Sequence, residues 1–146
     1  MGGMRPGCKL VAVAVQLLAV GLAFSGCTNS PTAPSDGPPL TILDLVVGTG
    51  AEAVDGKVLT VDYIGWLYDE DEEDAKGAEF NRAEGFKFAL GRGQVITGWE
   101  FGLRGMRVGG TRRLIIPFNY AYGEVGQGSV PPFATLVFDI VLVDVQ

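Results

Sequence analysis

The chain has 146 residues and a formal net charge of −6, from 17 acidic and 11 basic residues, and it contains no histidine. This length accommodates one ordinary domain. The acidic balance argues against nucleic acid as a partner, because phosphate binding needs a basic surface. No serine, threonine or cysteine has a base in a recognisable arrangement, so ordinary nucleophilic catalysis is not expected.

The first forty residues do not resemble part of a folded domain. Arg5 and Lys9 form a short basic segment, and the stretch 10–23 is apolar apart from Gln16 and small residues. This pattern predicts a secretory signal that is removed before folding. The apolar stretch is shorter than the roughly 20 residues that a comfortable membrane span needs.

The end of this segment, Phe24-Ser25-Gly26-Cys27, resembles a bacterial lipobox, in which the cysteine becomes the lipidated first residue. Phe24 stands where lipoproteins usually have leucine. The resemblance implies a signal peptide over 1–26 and a lipid on Cys27. It places the domain in the bacterial cell envelope, facing the periplasm or the cell exterior. A plain cleaved signal or an uncleaved anchor is the alternative.

The segment 27–39 contains mostly polar residues and four prolines, and it predicts an extended, solvated tether. Loss of Arg5 and Lys9 with the signal would leave 9 basic residues against 17 acidic ones, a charge of −8. Anionic membrane surfaces should repel such a protein. Attachment to a membrane is therefore expected through the acyl chains alone.

The region 40–146 is expected to form the domain, and most of it follows a period of two. The runs in which apolar residues alternate are 42–47, 61–67, 86–90, 112–116 and 136–143. Breaks rich in glycine separate nearly all of them. The pattern predicts an antiparallel sheet of about five strands.

One segment has helical spacing instead, with apolar residues at Trp99, Leu103 and Met106. Thr97 and Glu100 have the Thr-x-x-Glu spacing of a capping box, and the glycine pair 109–110 is expected to end the helix. A single helix that crosses the sheet would cover its apolar face. The sequence therefore predicts an α+β domain.

Five stretches together resemble the FKBP-type family of peptidyl-prolyl cis/trans isomerases. They are Val61–Leu67, Phe86–Gly91, Val95–Glu100, Tyr120–Gly123 and Val130–Asp139. The likeness runs from about Leu40 to Gln146. It implies a sheet wrapped around one short helix and isomerase activity on X-Pro bonds without a cofactor. It also implies proline-containing polypeptides as partners and macrolides of the rapamycin type as inhibitors.

The resemblance also assigns a pocket residue by residue. The proline ring of a substrate is expected on the indole of Trp99, with its carbonyl groups bound by the backbone amide of Ile96 and the phenol of Tyr122. Val130 would contact the residue before proline, and Phe80 would close the pocket from the loop opposite. The walls are Tyr63, Phe86, Val95, Ile96 and Phe138. Taken singly, Phe86 and Phe138 are more readily explained as plain core, whereas Trp99 beside a helix start and Tyr122 in a turn are better candidates for contact with a ligand.

The position after Phe80 departs from the family pattern. Asn81 stands where the family usually carries an aspartate that is thought to orient the polar groups of the pocket. Asparagine accepts and donates hydrogen bonds but carries no charge. We therefore expect weakened catalysis, which Asn81→Asp should restore.

The edges of the expected pocket also depart from the family pattern. The segment between Phe80 and Phe86 is short, whereas the acidic run Tyr68–Asp74 lengthens the preceding hairpin. Its carboxylates could steer basic segments of a substrate towards the pocket. A solvated loop that only aids solubility is the simpler explanation. The run lacks the spacing and central glycine of an EF-hand, so no metal site is predicted.

The sequence favours a lipid-anchored, monomeric isomerase that accelerates the folding of secreted or envelope proteins. The alternative is a holdase or binding module that keeps the proline pocket but has little turnover, for which Asn81 would be the signature. A purely structural lipoprotein would show neither activity nor affinity for macrolides.

Overall fold

The computed structural model describes residues 37–146, which form an antiparallel sheet with one short helix, as predicted. The strands are β1 (Thr41–Val46), β2 (Val58–Tyr68), β3 (Lys76–Ala89), β4 (Thr111–Ile116) and β5 (Leu136–Val145), and the helix is α1 (Thr97–Gly102). The predicted signal peptide and the predicted lipidation site, Cys27, lie outside the described residues. Within residues 37–146 no helix is long and apolar enough to cross a membrane.

Strand β5 lies at the centre of the sheet, whose order is β1-β4-β5-β2-β3 with every neighbouring pair antiparallel. The side chains predicted to be buried on this strand are Leu136, Phe138, Ile140 and Leu142, and none is more than 3% exposed. On the opposite face of the strand, Val141 and Val143 are 37% and 45% exposed, whereas Val137 is fully buried. Each buried side chain contributes about 1.5–3 kcal/mol by leaving water. One face of β5 therefore anchors the core.

The alternating residues from Phe86 onward predicted only the end of β3. In the structure this strand begins ten residues earlier, at Lys76. Its pairing with β2 shifts register at several points, and such bulges break the alternation by which a strand is recognised. Gly85, with φ of 64°, donates its N–H to a carboxylate oxygen of Asp62 at 2.6 Å. The segment before Phe86 is therefore strand, and the prediction that Phe80 lies on a loop was wrong.

The helix begins without the predicted capping box. Ile96 is the N-cap and makes no side-chain capping bond, while the Glu100 carboxylate accepts hydrogen bonds from the N–H groups of Gly91 and, at 3.0 Å, Gly93. Glu100 is 9% exposed and thereby ties the loop before the helix to the helix itself. The Glu100 carboxylate therefore bonds the preceding loop and not the backbone at the start of the helix.

The helix also ends earlier than predicted, at Gly102 and not at the glycine pair 109–110. Two of its residues lie directly on β4, because a Cβ on Gly98 would come within 2.4 Å of Ile116 and one on Gly102 within 2.7 Å of Leu114. Side chains at either position would push the helix off the sheet. These glycines therefore set the distance between α1 and β4.

A cluster of ion pairs fixes the acidic loop before β3 to the sheet. Asp139 on β5 accepts hydrogen bonds from Lys76 at 2.6 Å and from Arg113 at 2.7 Å. Arg113 also pairs with Asp74 of the acidic run at 3.0 Å. The side chains of Arg113, Lys76 and Asp139 are 11–21% exposed, so solvent screens the two pairs of Asp139 less than surface pairs, whereas Asp74 is 54% exposed. One carboxylate of the acidic run thus has a structural partner.

Acid should weaken this cluster. Burial alone would raise the pKa of Asp139, but hydrogen bonds from Arg113 and Lys76 outweigh it, and the pKa lies below its ordinary value. Such a carboxylate stabilises the fold fully above its unfolded pKa of about 3.9, and the stabilisation is lost as the pH falls through the lower folded pKa. We expect Asp139→Asn to lower the free energy of unfolding by about 2 kcal/mol near neutral pH.

Urea unfolding of the wild type and of Asp139→Asn at several pH values measures this effect. The difference between the two proteins should shrink as the pH is lowered from about 4 towards 2. A difference that does not vary with pH would contradict the assignment.

Candidate functional site

A cavity of about 520 Å³ opens between β2, β3, β5, the start of α1 and two loops. Its lining consists of Tyr63, Phe80, Asn81, Phe86, Gly93, Gln94, Val95, Ile96, Trp99, Tyr122, Gln127 and Phe138. None of these is an aspartate, glutamate, lysine or arginine. The cavity is therefore aromatic and polar in places but carries no ionised side chain at neutral pH.

The indole of Trp99 is the buried centre of this cavity. It is 4% exposed, and its ring centre lies 4.9 Å from that of Tyr63, 5.3 Å from that of Phe138 and 5.7 Å from that of Phe88. Most of these contacts are edge-to-face, an arrangement that aromatic rings favour. No described residue accepts a hydrogen bond from its buried Nε1. The indole is thus held by packing alone.

One wall of the cavity depends on the absence of a side chain at Gly65 on β2. A Cβ there would lie 2.7 Å from the ring of Phe138 and 2.9 Å from the ring of Phe80. These two rings meet edge to face, with centres 5.6 Å apart. Gly65 therefore leaves the space in which Phe80 and Phe138 come together.

The polar side chains of the cavity are the phenols of Tyr63 and Tyr122 and the carboxamides of Asn81, Gln94 and Gln127. Nδ2 of Asn81 donates a hydrogen bond to the hydroxyl of Tyr63 at 3.0 Å. Burial raises the pKa of Tyr122, and burial together with the neighbouring Tyr122 raises the pKa of Tyr63. Both phenols therefore stay protonated across the physiological pH range and can donate hydrogen bonds.

The loop before α1 supplies the opposite side of the cavity. The carbonyl of Ile96 accepts hydrogen bonds from the N–H groups of Trp99 and Glu100, at 2.9 and 3.2 Å. The side-chain oxygen of Gln94 accepts one from the N–H of Ala89 at 2.8 Å. The loop is therefore fixed to both the helix and β3.

The structure brings together all of the predicted pocket residues except Val130. That residue is 5% exposed within the core, pairs its backbone with Gln127 at 2.9 Å and is not among the lining residues, so its contact with the residue before proline stays a prediction. The sequence interpretation missed Gly93, Gln94 and Gln127, which line the cavity. A glutamine on a loop gives no pattern that separates it from ordinary surface. Among the described residues, no group of three acidic, cysteine or histidine side chains could hold a metal ion.

The cavity over the sheet and the short helix is uncharged and aromatic, a composition typical of ligand-binding pockets, and no nucleophile or base is among the side chains that line it. The sequence matches the family of FKBP-type peptidyl-prolyl cis-trans isomerases over residues 50–143. The chain belongs to this family.

Relatives and solved structures agree with this membership. The FK506-binding protein of Neisseria meningitidis serogroup B is 46% identical over 107 residues, which cover 73% of this chain and 95% of that protein. The FK506-binding protein of Streptomyces anulatus is 43% identical over 109 residues, or 72% of this chain and 86% of that protein.

Among solved structures, FkpA from Escherichia coli superposes with a TM-score of 0.63 at 36% identity, over 73% of this chain and 48% of that one. AtFKBP13 gives a TM-score of 0.62 at 35% identity, over 72% of this chain and 91% of that one. The fold and the class of enzyme predicted from the sequence are confirmed.

Proposed function

We propose that the cavity binds X-Pro segments of polypeptides and accelerates their cis/trans isomerisation by desolvating the prolyl amide. The observation that supports this is the composition of the cavity, which surrounds a buried indole with aromatic rings and has no ionised group. Such a site can favour an apolar transition state over a polar ground state.

The chemistry needs no covalent intermediate. The barrier to rotation about a peptide bond is about 18–20 kcal/mol, because resonance gives the C–N bond partial double-bond character. At the twisted transition state the resonance is lost and the amide becomes less polar than in either planar form. A thousandfold acceleration needs about 4 kcal/mol of differential stabilisation. An apolar cavity with one or two directed hydrogen bonds can supply this amount.

In this proposal the proline ring lies on the indole of Trp99. The backbone amide of Ile96 binds one carbonyl of the substrate. The phenol of Tyr122 donates a hydrogen bond to another carbonyl or polarises the rotating amide. Because two of the relatives carry FK506 in their names, we also propose that macrolides of the rapamycin type compete for the same cavity.

Tyr122→Phe tests the directed hydrogen bond. We expect kcat/KM for a proline tetrapeptide to fall about fivefold to tenfold in a protease-coupled assay, because one hydrogen bond contributes about 1–1.5 kcal/mol. Tyr120→Phe is the matched control, since Tyr120 lies two residues away and does not line the cavity. An equal loss in both variants would contradict the assignment of Tyr122.

Asn81→Asp tests the departure from the family pattern. A carboxylate would bond the Tyr63 hydroxyl as a charged partner, and charged hydrogen bonds exceed neutral ones by about 1 kcal/mol. We expect kcat/KM to rise about fivefold. A lower kcat/KM would show that position 81 has been assigned the wrong part in catalysis.

A binding module with little turnover is the competing outcome of these assays. It would show tight binding of a rapamycin-type macrolide together with no rate enhancement on the tetrapeptide. A protein without either property would have only a structural function, and the cavity would then have no proposed ligand.

We further propose that the chain is a lipoprotein of the bacterial envelope that assists the folding of secreted or envelope proteins as a monomer. The support is the sequence alone, through the lipobox-like ending at Cys27 and the tether that follows. Labelling the full chain with radioactive palmitate, with Cys27→Ala as the control, tests this. Equal labelling of the two proteins would exclude a lipid on Cys27.

A further inference from the structure

The loop that precedes β5 displays an aromatic side chain in a strained conformation. Phe133 has φ of 59°, in the left-handed region that bulky residues rarely adopt. Its side chain is nevertheless 57% exposed, so burial does not repay the strain. Its ring meets that of Phe118 edge to face, with centres 5.2 Å apart. A solvent-exposed phenyl ring held in this way is more readily explained by contact with a partner than by the fold.

The surrounding loop holds the backbone of Phe133 in place. The N–H of Phe133 donates to the carbonyl of Gly123 at 3.0 Å. A Cβ on Gly126 would come within 2.4 Å of the carbonyl oxygen of Val130, so the two arms of the loop touch. These contacts hold the backbone of Phe133, and the edge-to-face contact with Phe118 holds its ring, so the ring has a defined position on the surface.

This loop is continuous with the candidate active site. Gly123, which binds Phe133, follows Tyr122 in the chain, and Tyr122 and Gln127 of the same loop line the cavity. The loop also displays Val125, which is 86% exposed. A polypeptide whose proline occupies the cavity must leave it on both sides, and a chain that leaves beside Tyr122 and Gln127 runs past this loop.

We propose that the exposed Phe133 and the half-buried Phe118 beside it, which we call the outer apolar surface, form a second substrate contact beside the prolyl pocket, with the exposed Val125 on the same loop. The occupant is an unfolded polypeptide, and the contact binds its apolar or aromatic side chains that lie further along the chain than the residues next to the prolyl bond. The proposal rests on the function proposed above, and it deepens it by distinguishing an unfolded chain from a short peptide. On this proposal a tetrapeptide, which carries only the residues next to its proline, fills the cavity without contacting the outer apolar surface.

The experiment compares Phe133→Asn with the wild type as full chains. Asparagine adopts the left-handed region more readily than phenylalanine, so this variant removes the ring without adding strain. The probe is fluorescein-labelled α-lactalbumin that has been reduced and carboxymethylated, so that it stays unfolded, and its Kd is measured by fluorescence anisotropy. We expect the Kd to rise about fivefold, whereas kcat/KM for a proline tetrapeptide changes by less than about twofold.

Leu43→Thr is the control for nonspecific apolar binding, because Leu43 is 51% exposed on the edge strand β1 and neither lines the cavity nor belongs to the loop before β5. Its Kd for the probe should equal that of the wild type. An unchanged Kd in Phe133→Asn, or an equal rise in both variants, would overturn the proposal. A fall in sedimentation mass in Phe133→Asn without a change in Kd would also overturn it, because the surface would then join two copies of the chain.

The two proposals fail in different ways. A wild type that binds the probe through Phe133 but does not isomerise the tetrapeptide would remove the catalytic function and keep the second contact. Full tetrapeptide activity with a Kd indifferent to Phe133 would keep the catalytic function and remove the second contact.

Discussion

Replacing Trp99 with leucine is expected to lower kcat/KM for a proline tetrapeptide by about 50-fold, a loss of about 2–3 kcal/mol of transition-state stabilisation. The reason is geometric, because the indole is the buried surface on which the rings of Tyr63 and Phe138 rest, within about 5 Å. Leucine would leave a gap beneath the proline ring and admit water to a cavity that works by excluding it.

The same change should lower the free energy of unfolding by about 2–4 kcal/mol, since a large buried ring is lost. Kinetics must therefore be measured well below the unfolding midpoint. Trp66→Leu is the matched control, because Trp66 does not line the cavity and instead faces Lys76, whose ammonium lies 4.3 Å from its ring centre. We expect its kcat/KM to stay within about twofold of the wild type. Equal losses in both variants would show that Trp99 acts only through stability.

The residues of the cavity could be predicted because aromatic side chains in family order are visible in a sequence. Such motifs point to Trp99, Tyr122 and Phe138, and all of them line the cavity. The central strand is equally visible, since Leu136, Phe138, Ile140 and Leu142 recur with a period of two and all of them are buried. Both features could be predicted because they depend only on the identity and spacing of residues along the chain.

Features that depend on distant partners could not be predicted in the same way. Glu100 has the spacing of a capping residue, but its carboxylate bonds the loop at Gly91 and Gly93 once that loop folds back over the helix. Val130 sits in a family motif, yet its loop turns it into the core. Local spacing cannot decide between a local and a tertiary hydrogen bond when both satisfy the same group.

The most distant of these contacts belongs to Arg112, and its loss should destabilise the fold more than the loss of the Asp139 carboxylate. Arg112 is 8% exposed and clamps two parts of the molecule. It bonds the Asp44 carboxylate through two nitrogens, and a third nitrogen donates to the carbonyl of Gly102 at 2.8 Å and that of Arg104 at 3.1 Å. The guanidinium thus joins β1 to the end of the helix that carries Trp99.

Arg112→Met is expected to lower the free energy of unfolding by about 3 kcal/mol, measured by urea denaturation near neutral pH. The loss comes from the carbonyl groups of Gly102 and Arg104, which are left without their donor. It stays near the lower end of the range for a broken buried ion pair because the Asp44 side chain is 43% exposed and is hydrated again once the guanidinium is gone. Arg107→Met is the control, since the Arg107 side chain is 49% exposed and its pair with Glu52 should contribute less than about 1 kcal/mol. If the two variants lost the same small amount, the helix end would be held by the packing of Gly98 and Gly102 on β4 and not by the guanidinium.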